Sequence, residues 1–242
     1  MGAPRPEPSL WPAGTGQVRS VRRLLERTET AHRKAADRLR ACGLEDLARQ
    51  AEQFAAAARF DLDEPRAAAR LYAFAGALRG LSQPRMLVGK VLEGALSLGG
   101  ADRGNLQLVD RATGYLVIVA ECGFGSEFLE YFAVVDDDRS ACGKAAKRRS
   151  QMLIVDVATD PGFAPHRAIA AASDFRAVLS TPLIDWDGRL IGVVSTHYRR
   201  PRSLLPRERQ VMQRYGDLAA RSLARYLTAS RMAGLAAGPP PL

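Results

Sequence analysis

Apolar residues return at three- and four-residue steps soon after the start of the chain. Val21, Leu24, Leu25, Ala31, Ala35 and Leu39 predict a helix over 18–42. Beyond Gly43, the residues Leu47, Ala51, Phe54 and Ala58 continue that period over 44–60, and Asp63-Glu64-Pro65 marks a capped restart into 67–79. These stripes are thin and alanine-rich, so the helices need a partner surface in this chain or in a second copy. Gly80-Leu81-Ser82-Gln83-Pro84 closes that texture. A fuller amphipathic helix follows over 85–98, with Leu87, Val88, Val91, Leu92, Ala95 and Leu96 on one side and Gly99-Gly100 at its end. The period then falls to two. Strands are predicted over 105–110 and 115–121, joined by Arg111-Ala112-Thr113-Gly114. Short helices are predicted over 127–132, over 140–149 with Ser140 as cap, and over 165–172 after the turn Asp160-Pro161-Gly162. A strand over 151–157 precedes that turn. The clearest strands, 176–184 and 190–198, hinge at Asp185-Trp186-Asp187-Gly188, and a long helix spans 207–232. The fold class is α+β: an antiparallel sheet flanked by helices, with a helical segment ahead of it. The expected division is a disordered lead-in over 1–17, a helical segment over 18–83, a main domain over 84–230 and a flexible tail over 231–242.

Alternation also assigns faces. If Ile184 opposes Arg189, one face carries Arg176, Val178 and Ser180 with Val193, Ser195 and His197. The other carries Ala177, Leu179 and Thr181 with Gly192, Val194 and Thr196. On the first strand Asn105 and Gln107 alternate with Leu106 and Leu108. A sheet covered only by helices has no use for Asn105, Gln107, Arg176, Ser180, Ser195 and His197 grouped together. Such a face needs hydrogen-bond partners from loops, water or a ligand.

Composition narrows the classes. The 242 residues are 47% hydrophobic and 25% charged, as in a packed domain. No apolar run approaches the ~18 residues of a membrane span, and the first residues do not read as a secretory signal. Three cysteines (Cys42, Cys122, Cys142) are too few and scattered for a disulfide framework, so a cytoplasmic protein is expected. The net charge of +9 invites a nucleic-acid reading until it is located. Residues 84–199 hold 13 basic against 14 acidic side chains, and the excess lies in the helical flanks, with little aromatic interleaving. That is the pattern of solvated helix faces; neither a nucleic-acid nor a membrane partner is expected.

Familiar catalytic signatures are absent: there is no Walker loop, no GxGxxG after a strand, no HExxH, GxSxG or CxxC. His32, His166 and His197 are far apart, so no local metal motif is visible. His166, after Phe163-Ala164-Pro165, reads as a loop histidine with a structural hydrogen bond or as a ligand contact. Phe124, Phe128, Tyr131, Phe132 and Phe163 are either core or the roof of a pocket. Asp136-Asp137-Asp138 reads as a solvated acidic loop, with cation binding as the alternative.

Several stretches occur together in a familiar order. They are Asn105-Leu106-Gln107-Leu108-Val109-Asp110 with Thr113-Gly114, Glu121-Cys122-Gly123-Phe124, and Ser140-Ala141-Cys142-Gly143-Lys144-Ala145. Val155-Asp156-Val157-Ala158-Thr159-Asp160-Pro161, Phe163-Ala164-Pro165-His166 and the hairpin from Ser180-Thr181-Pro182-Leu183 to Gly192-Val193-Val194-Ser195-Thr196 complete the set. Over roughly 84–228 the chain resembles bacterial GAF domains. The resemblance implies about six antiparallel strands, helices on one face, and a ligand pocket under loops on the other. It also implies a non-catalytic sensory or regulatory role, commonly in a homodimer held by terminal helices, with a signalling partner protein. The pocket would draw on Asn105, Gln107, Phe132, Cys142, His166, Arg176, Ser180, Ser195 and His197 for a small polar or anionic ligand, with no cofactor and no metal. One enzymatic branch of the superfamily, the free methionine-(R)-sulfoxide reductases, carries a comparable Cys-Gly at the start of the short helix. Cys142 is therefore the alternative catalytic residue, although only Cys122 precedes it as a resolving thiol. A structural dimerisation module with a degenerate pocket is the third reading.

Overall fold

A computed structural model describes residues 15–136 and 139–236. The chain divides into two compact units at Arg70/Leu71. The first holds α1 (Thr15–Ala41), α2 (Glu45–Asp63) and the opening of α3 (Pro65–Ala77). Gly43, at φ +73°, turns the chain between α1 and α2, a conformation that a β-carbon would strain. Ala48, Ala51, Ala55 and Ala58 are all buried on α2. Small side chains at three- and four-residue steps let a neighbouring helix approach closely but bury little area each. Of the expected lead-in, residues 1–14 lie outside the described residues, and 15–17 belong to α1.

The second unit begins earlier than the expected boundary at 83/84. Leu71 in the middle of α3 and Leu78 just past its end are 0% and 3% exposed and belong to its core. It continues through α4 (Pro84–Gly99), β1 (Arg103–Val109), β2 (Leu116–Cys122), α5 (Ser126–Tyr131), β3 (Val134–Val135), α6 (Ala141–Arg148) and β4 (Met152–Ile154). A 3₁₀ turn (Pro161–His166) leads into α7 (Arg167–Ala172), β5 (Ala177–Ile184), β6 (Leu190–Tyr198) and α8 (Pro206–Ala236). Helix α8 carries past the expected start of the tail at 231, while 237–242 lie outside the described residues.

The strands form one antiparallel sheet in the order β3-β2-β1-β6-β5-β4. Two-residue β3 was not legible as a strand; Val134 and Val135 pair only with Val117 and Leu116. The strand expected over 151–157 is cut to three residues, after which the Val157 amide bonds the Arg176 carbonyl outside the ladder. The β5–β6 register also differs from expectation. Ser180 faces Ser195 and Val178 faces His197, two positions away from the anticipated pairing, with a bulge at Leu183/Ile184. The cause is the turn, where Asp185 accepts from the amides of Asp187 and Arg189 and pairs with the Arg189 guanidinium. A shift of two leaves every side chain on its assigned face.

One face is apolar. Leu106, Ala177, Leu179, Leu183 and Val194 pack beneath Leu87, Val91 and Ala95 of α4 and Met212, Tyr215 and Leu223 of α8. Each fully buried leucine or valine here contributes about 1.5–3 kcal/mol. Leu223 is buried in this core, with Leu218 and Tyr226 partly buried against it. Tyr215 Oη donates to the Val91 carbonyl at 3.0 Å, lying where a β-carbon on Gly94 would stand (2.1 Å away). Helices α4 and α8 can therefore approach only over a glycine. Gly94→Ala is expected to destabilise the protein by about 3 kcal/mol, because the contact is overpacked and the Tyr215 hydroxyl is displaced. Urea unfolding of the variant beside wild type checks this; an unchanged midpoint would contradict it.

Candidate functional site

The opposite face carries the second core and the polar residues. Asn105, Gln107, Ser180, Ser195 and His197 are all at most 5% exposed. Strand pairing sets Asn105 against Ser195 and Ser195 against Ser180, whose hydroxyls lie 2.8 Å apart. Over them lie Phe128 and Phe132 from the α5 segment, Phe163 from the 3₁₀ turn, Phe175 from the approach to β5, and the first turn of α6. Between roof and sheet is a cavity of ≈ 20 Å³, room for about one water. Asn105, Phe128, Phe132, Ser140, Cys142, Phe163, Phe175, Ser180, Ser195 and His197 line it.

Six of the nine residues expected from the sequence thus converge: Asn105, Phe132, Cys142, Ser180, Ser195 and His197. Three do not line the cavity. Gln107 lies further along β1, fully buried, with neither Nε2 nor Oε1 hydrogen-bonded within the protein. His166 sits behind Phe132 and Phe163, its ring centroid 5.8 and 5.2 Å from theirs, and shares a 3.0 Å hydrogen bond between Nδ1 and Tyr131 Oη. That tie joins α5 to the 3₁₀ turn across the roof, the structural role weighed for it above. Arg176 precedes β5, and its guanidinium forks onto Asp156 (Nε–Oδ1 3.0 Å, Nη2–Oδ2 2.7 Å). The hydrogen bonds from Arg176 hold the Asp156 carboxyl below the usual range. Without Arg176, the cavity loses the cation on which an anionic ligand depended.

Sequence reasoning missed Phe175 and Arg103. Phe175 sits one residue outside the alternating run, after Asp174 at φ +52°, so no face could be assigned to it. Arg103 donates to the carbonyls of Gly123 and Asp174 and pairs with the Asp174 carboxylate, pinning the end of β2 to the start of β5. A signal existed: Arg103 opposes His197 once the sheet register is set.

His197 is ringed by Phe175, Phe124 and Phe128, at centroid distances of 4.7, 5.0 and 5.8 Å and near-perpendicular planes. Burial pushes its imidazole down to about 3; the nearby Arg103 charge adds to this, and the Ser195 carbonyl offsets only part. Its Nδ1 has no hydrogen-bond partner in the protein. Cys142 is 8% exposed on α6, two residues beyond the cap, where Ser140 Oγ accepts from the Gly143 amide and stands 3.4 Å from Cys142 Sγ. Cys122 shares its face with Gly104, whose β-carbon direction points at Leu92 and Leu96 of α4. The two thiols therefore lie on opposite faces of the sheet. No His/Cys/Asp/Glu group suited to a metal occurs among the described residues; Asp136 is exposed, and Asp137 and Asp138 lie outside them.

The His197 shift fixes a pH dependence. The folded state resists protonation that the unfolded chain accepts, so the contribution is complete above the unfolded value near 6.5 and is lost as pH falls toward 3. Between pH 6 and 5, wild type is expected to lose about 1 kcal/mol more stability than His197→Gln. Parallel urea titrations across that range check the difference; superimposable profiles would contradict it.

A family model for the GAF domain matches residues 84–223. No curated protein matches the chain. Among solved structures, the GAF domain of a phosphoenolpyruvate-protein phosphotransferase from Coxiella burnetii superposes with a TM-score of 0.58 at 18% identity, covering 71% of this chain and 98% of that one. A methyl-accepting chemotaxis protein (residues 122 to 287) gives 0.52 at 23% identity, covering 64% and 98%. Free methionine-R-sulfoxide reductase from Neisseria meningitidis, in complex with its substrate, gives 0.51 at 21% identity, covering 67% and 89%. At these identities the likeness is one of fold.

Proposed function

Since the chain belongs to the GAF domain family, we propose that it is a non-catalytic sensory module, acting in the cytoplasm, whose cavity binds a small polar ligand. The observation that carries this reading is the buried polar group on the roofed face. Asn105, Ser180, Ser195 and His197 surround one cavity, and His197 presents a nitrogen with no partner in the protein. A sheet face kept only for stability would be filled with apolar side chains, because buried polar groups without full hydrogen bonding cost free energy.

The same strands offer a route for the signal. Ser180 and Ser195 face the cavity while their neighbours Leu179 and Val194 pack in the core beneath α4 and α8. A ligand that shifts β5 and β6 therefore acts on α8 through side chains that are already packed. The chemotaxis and phosphotransferase proteins whose GAF domains share this fold support a regulatory role with a signalling partner protein. No helix among the described residues is long and apolar enough to cross a membrane, and the three free thiols suit a reducing compartment.

The test is a small-molecule thermal-shift panel followed by hydrogen exchange. A compound that raises the melting temperature is expected to slow exchange in β5, β6 and α8, with both effects lost in Asn105→Leu. Stabilisation that survives Asn105→Leu unchanged would place binding elsewhere and overturn the reading.

A reductase reading is favoured by one feature, the Cys142 thiol in the cavity wall. Its weakness is the sheet that stands between Cys142 and Cys122. Cys142→Ser is expected to keep the fold, and neither protein to turn over free methionine sulfoxide with a dithiol reductant. Wild-type turnover that vanishes in the variant would make the protein an enzyme.

A further inference from the structure

Every polar group described in the cavity wall is one that hydrogen-bonds without net charge: the Asn105 amide, the hydroxyls of Ser140, Ser180 and Ser195, the Cys142 thiol and the His197 imidazole. The remaining described wall is aromatic or aliphatic. Two arginines beside the wall, one adjoining Phe175 and one opposite His197, are committed elsewhere. Arg176 is forked onto Asp156, and Arg103 is spent on Gly123 and Asp174.

We infer that the cavity selects a small uncharged molecule able both to donate and to accept hydrogen bonds, and rejects anions of the same shape. This rests on the cavity being a ligand site, as proposed above, and narrows the small polar or anionic ligand expected from the sequence to the uncharged kind.

An ion entering this site gives up its hydration and meets no charged side chain in the described wall, so that only the α6 N-terminus and the Arg103 field felt at His197 offset that loss, whereas a neutral amide or alcohol exchanges water hydrogen bonds for those of Asn105 and the serines. His197 cannot supply the missing positive charge, because its three-ring enclosure and the Arg103 charge keep it neutral throughout the physiological range. A neutral imidazole has one donor and one acceptor nitrogen, and Nδ1 is the one left without a partner. Volume bounds the size: ≈ 20 Å³ admits about one water as the roof stands, so only the smallest molecules, of no more than about three heavy atoms, are candidates.

Formamide and formate are near-isosteres that differ in charge, and they test the inference on the full chain. With ¹⁵N-labelled histidine, the ring nitrogens of His197 report directly, while His32, on α1, serves as the internal control. Affinities in the millimolar range or weaker are expected for so few atoms. Formamide is expected to shift the His197 ring signals along a saturating curve, and formate at matched ionic strength to bind at least tenfold more weakly. Asn105→Ser, which keeps a polar group but withdraws the amide, is expected to weaken formamide at least threefold while leaving the His32 signals unmoved. Formate binding as tightly as formamide would overturn the charge selection alone and leave the ligand site standing. Failure of both probes to give a saturable His197 shift would overturn the inference together with the ligand reading on which it rests.

Discussion

A buried polar group must be satisfied, and that requirement organises this molecule more than any single apolar contact. The sheet separates two environments. On one side, Leu106, Leu179 and Val194 meet α4 and α8 in a conventional apolar core. On the other, Asn105, Gln107, Ser180, Ser195 and His197 are just as deeply buried, but beneath phenylalanine rings that can offer them no hydrogen bonds. Ser180 and Ser195 satisfy each other across the strands. Gln107 and the His197 Nδ1 do not find protein partners. Folding stability alone gives no reason to keep such residues there.

Much of this was legible in the sequence because strand periodicity is robust to small errors. The β5–β6 turn was placed so that the pairing came out two positions off, yet the parity of the faces survived and with it the grouping of Asn105, Ser180, Ser195 and His197. The short helix over 140–149, with Ser140 as cap, was equally readable, because a cap and the period behind it are local signals. Loops were the weak point. Arg176 was counted as a strand residue on the polar face, whereas β5 begins at Ala177 and the guanidinium turns outward to Asp156. Phe175 escaped notice because a residue in left-handed conformation precedes it, which breaks the alternation from which faces are read.

The helical side shows the same limit. The stripes of α3 and α8 were visible, but not the partner each would find. Leu71 and Leu78 join the core of the sheet unit, and Leu223 is buried in the same core as Leu87 and Val91 of α4. Close approaches depend on glycines whose role appears only in three dimensions; Gly94 of α4 faces Tyr215 of α8, far away in the chain. Cysteine chemistry is likewise decided by topology. Twenty residues of sequence separate Cys122 from Cys142, but the sheet itself is the barrier, since one thiol faces α4 and the other the cavity.

Polar groups buried beneath the phenylalanine roof without protein partners should cost the fold stability. Gln107 isolates that cost, because it is fully buried, makes no hydrogen bond within the protein through its amide, and does not line the cavity. The measurement is the free energy of urea unfolding for Gln107→Met, which keeps the length and volume of the side chain while removing its polar atoms. The account requires the variant to be more stable than wild type by about 1–2 kcal/mol. A variant less stable by a similar amount would mean that this polar face belongs to the fold itself, and would contradict the account.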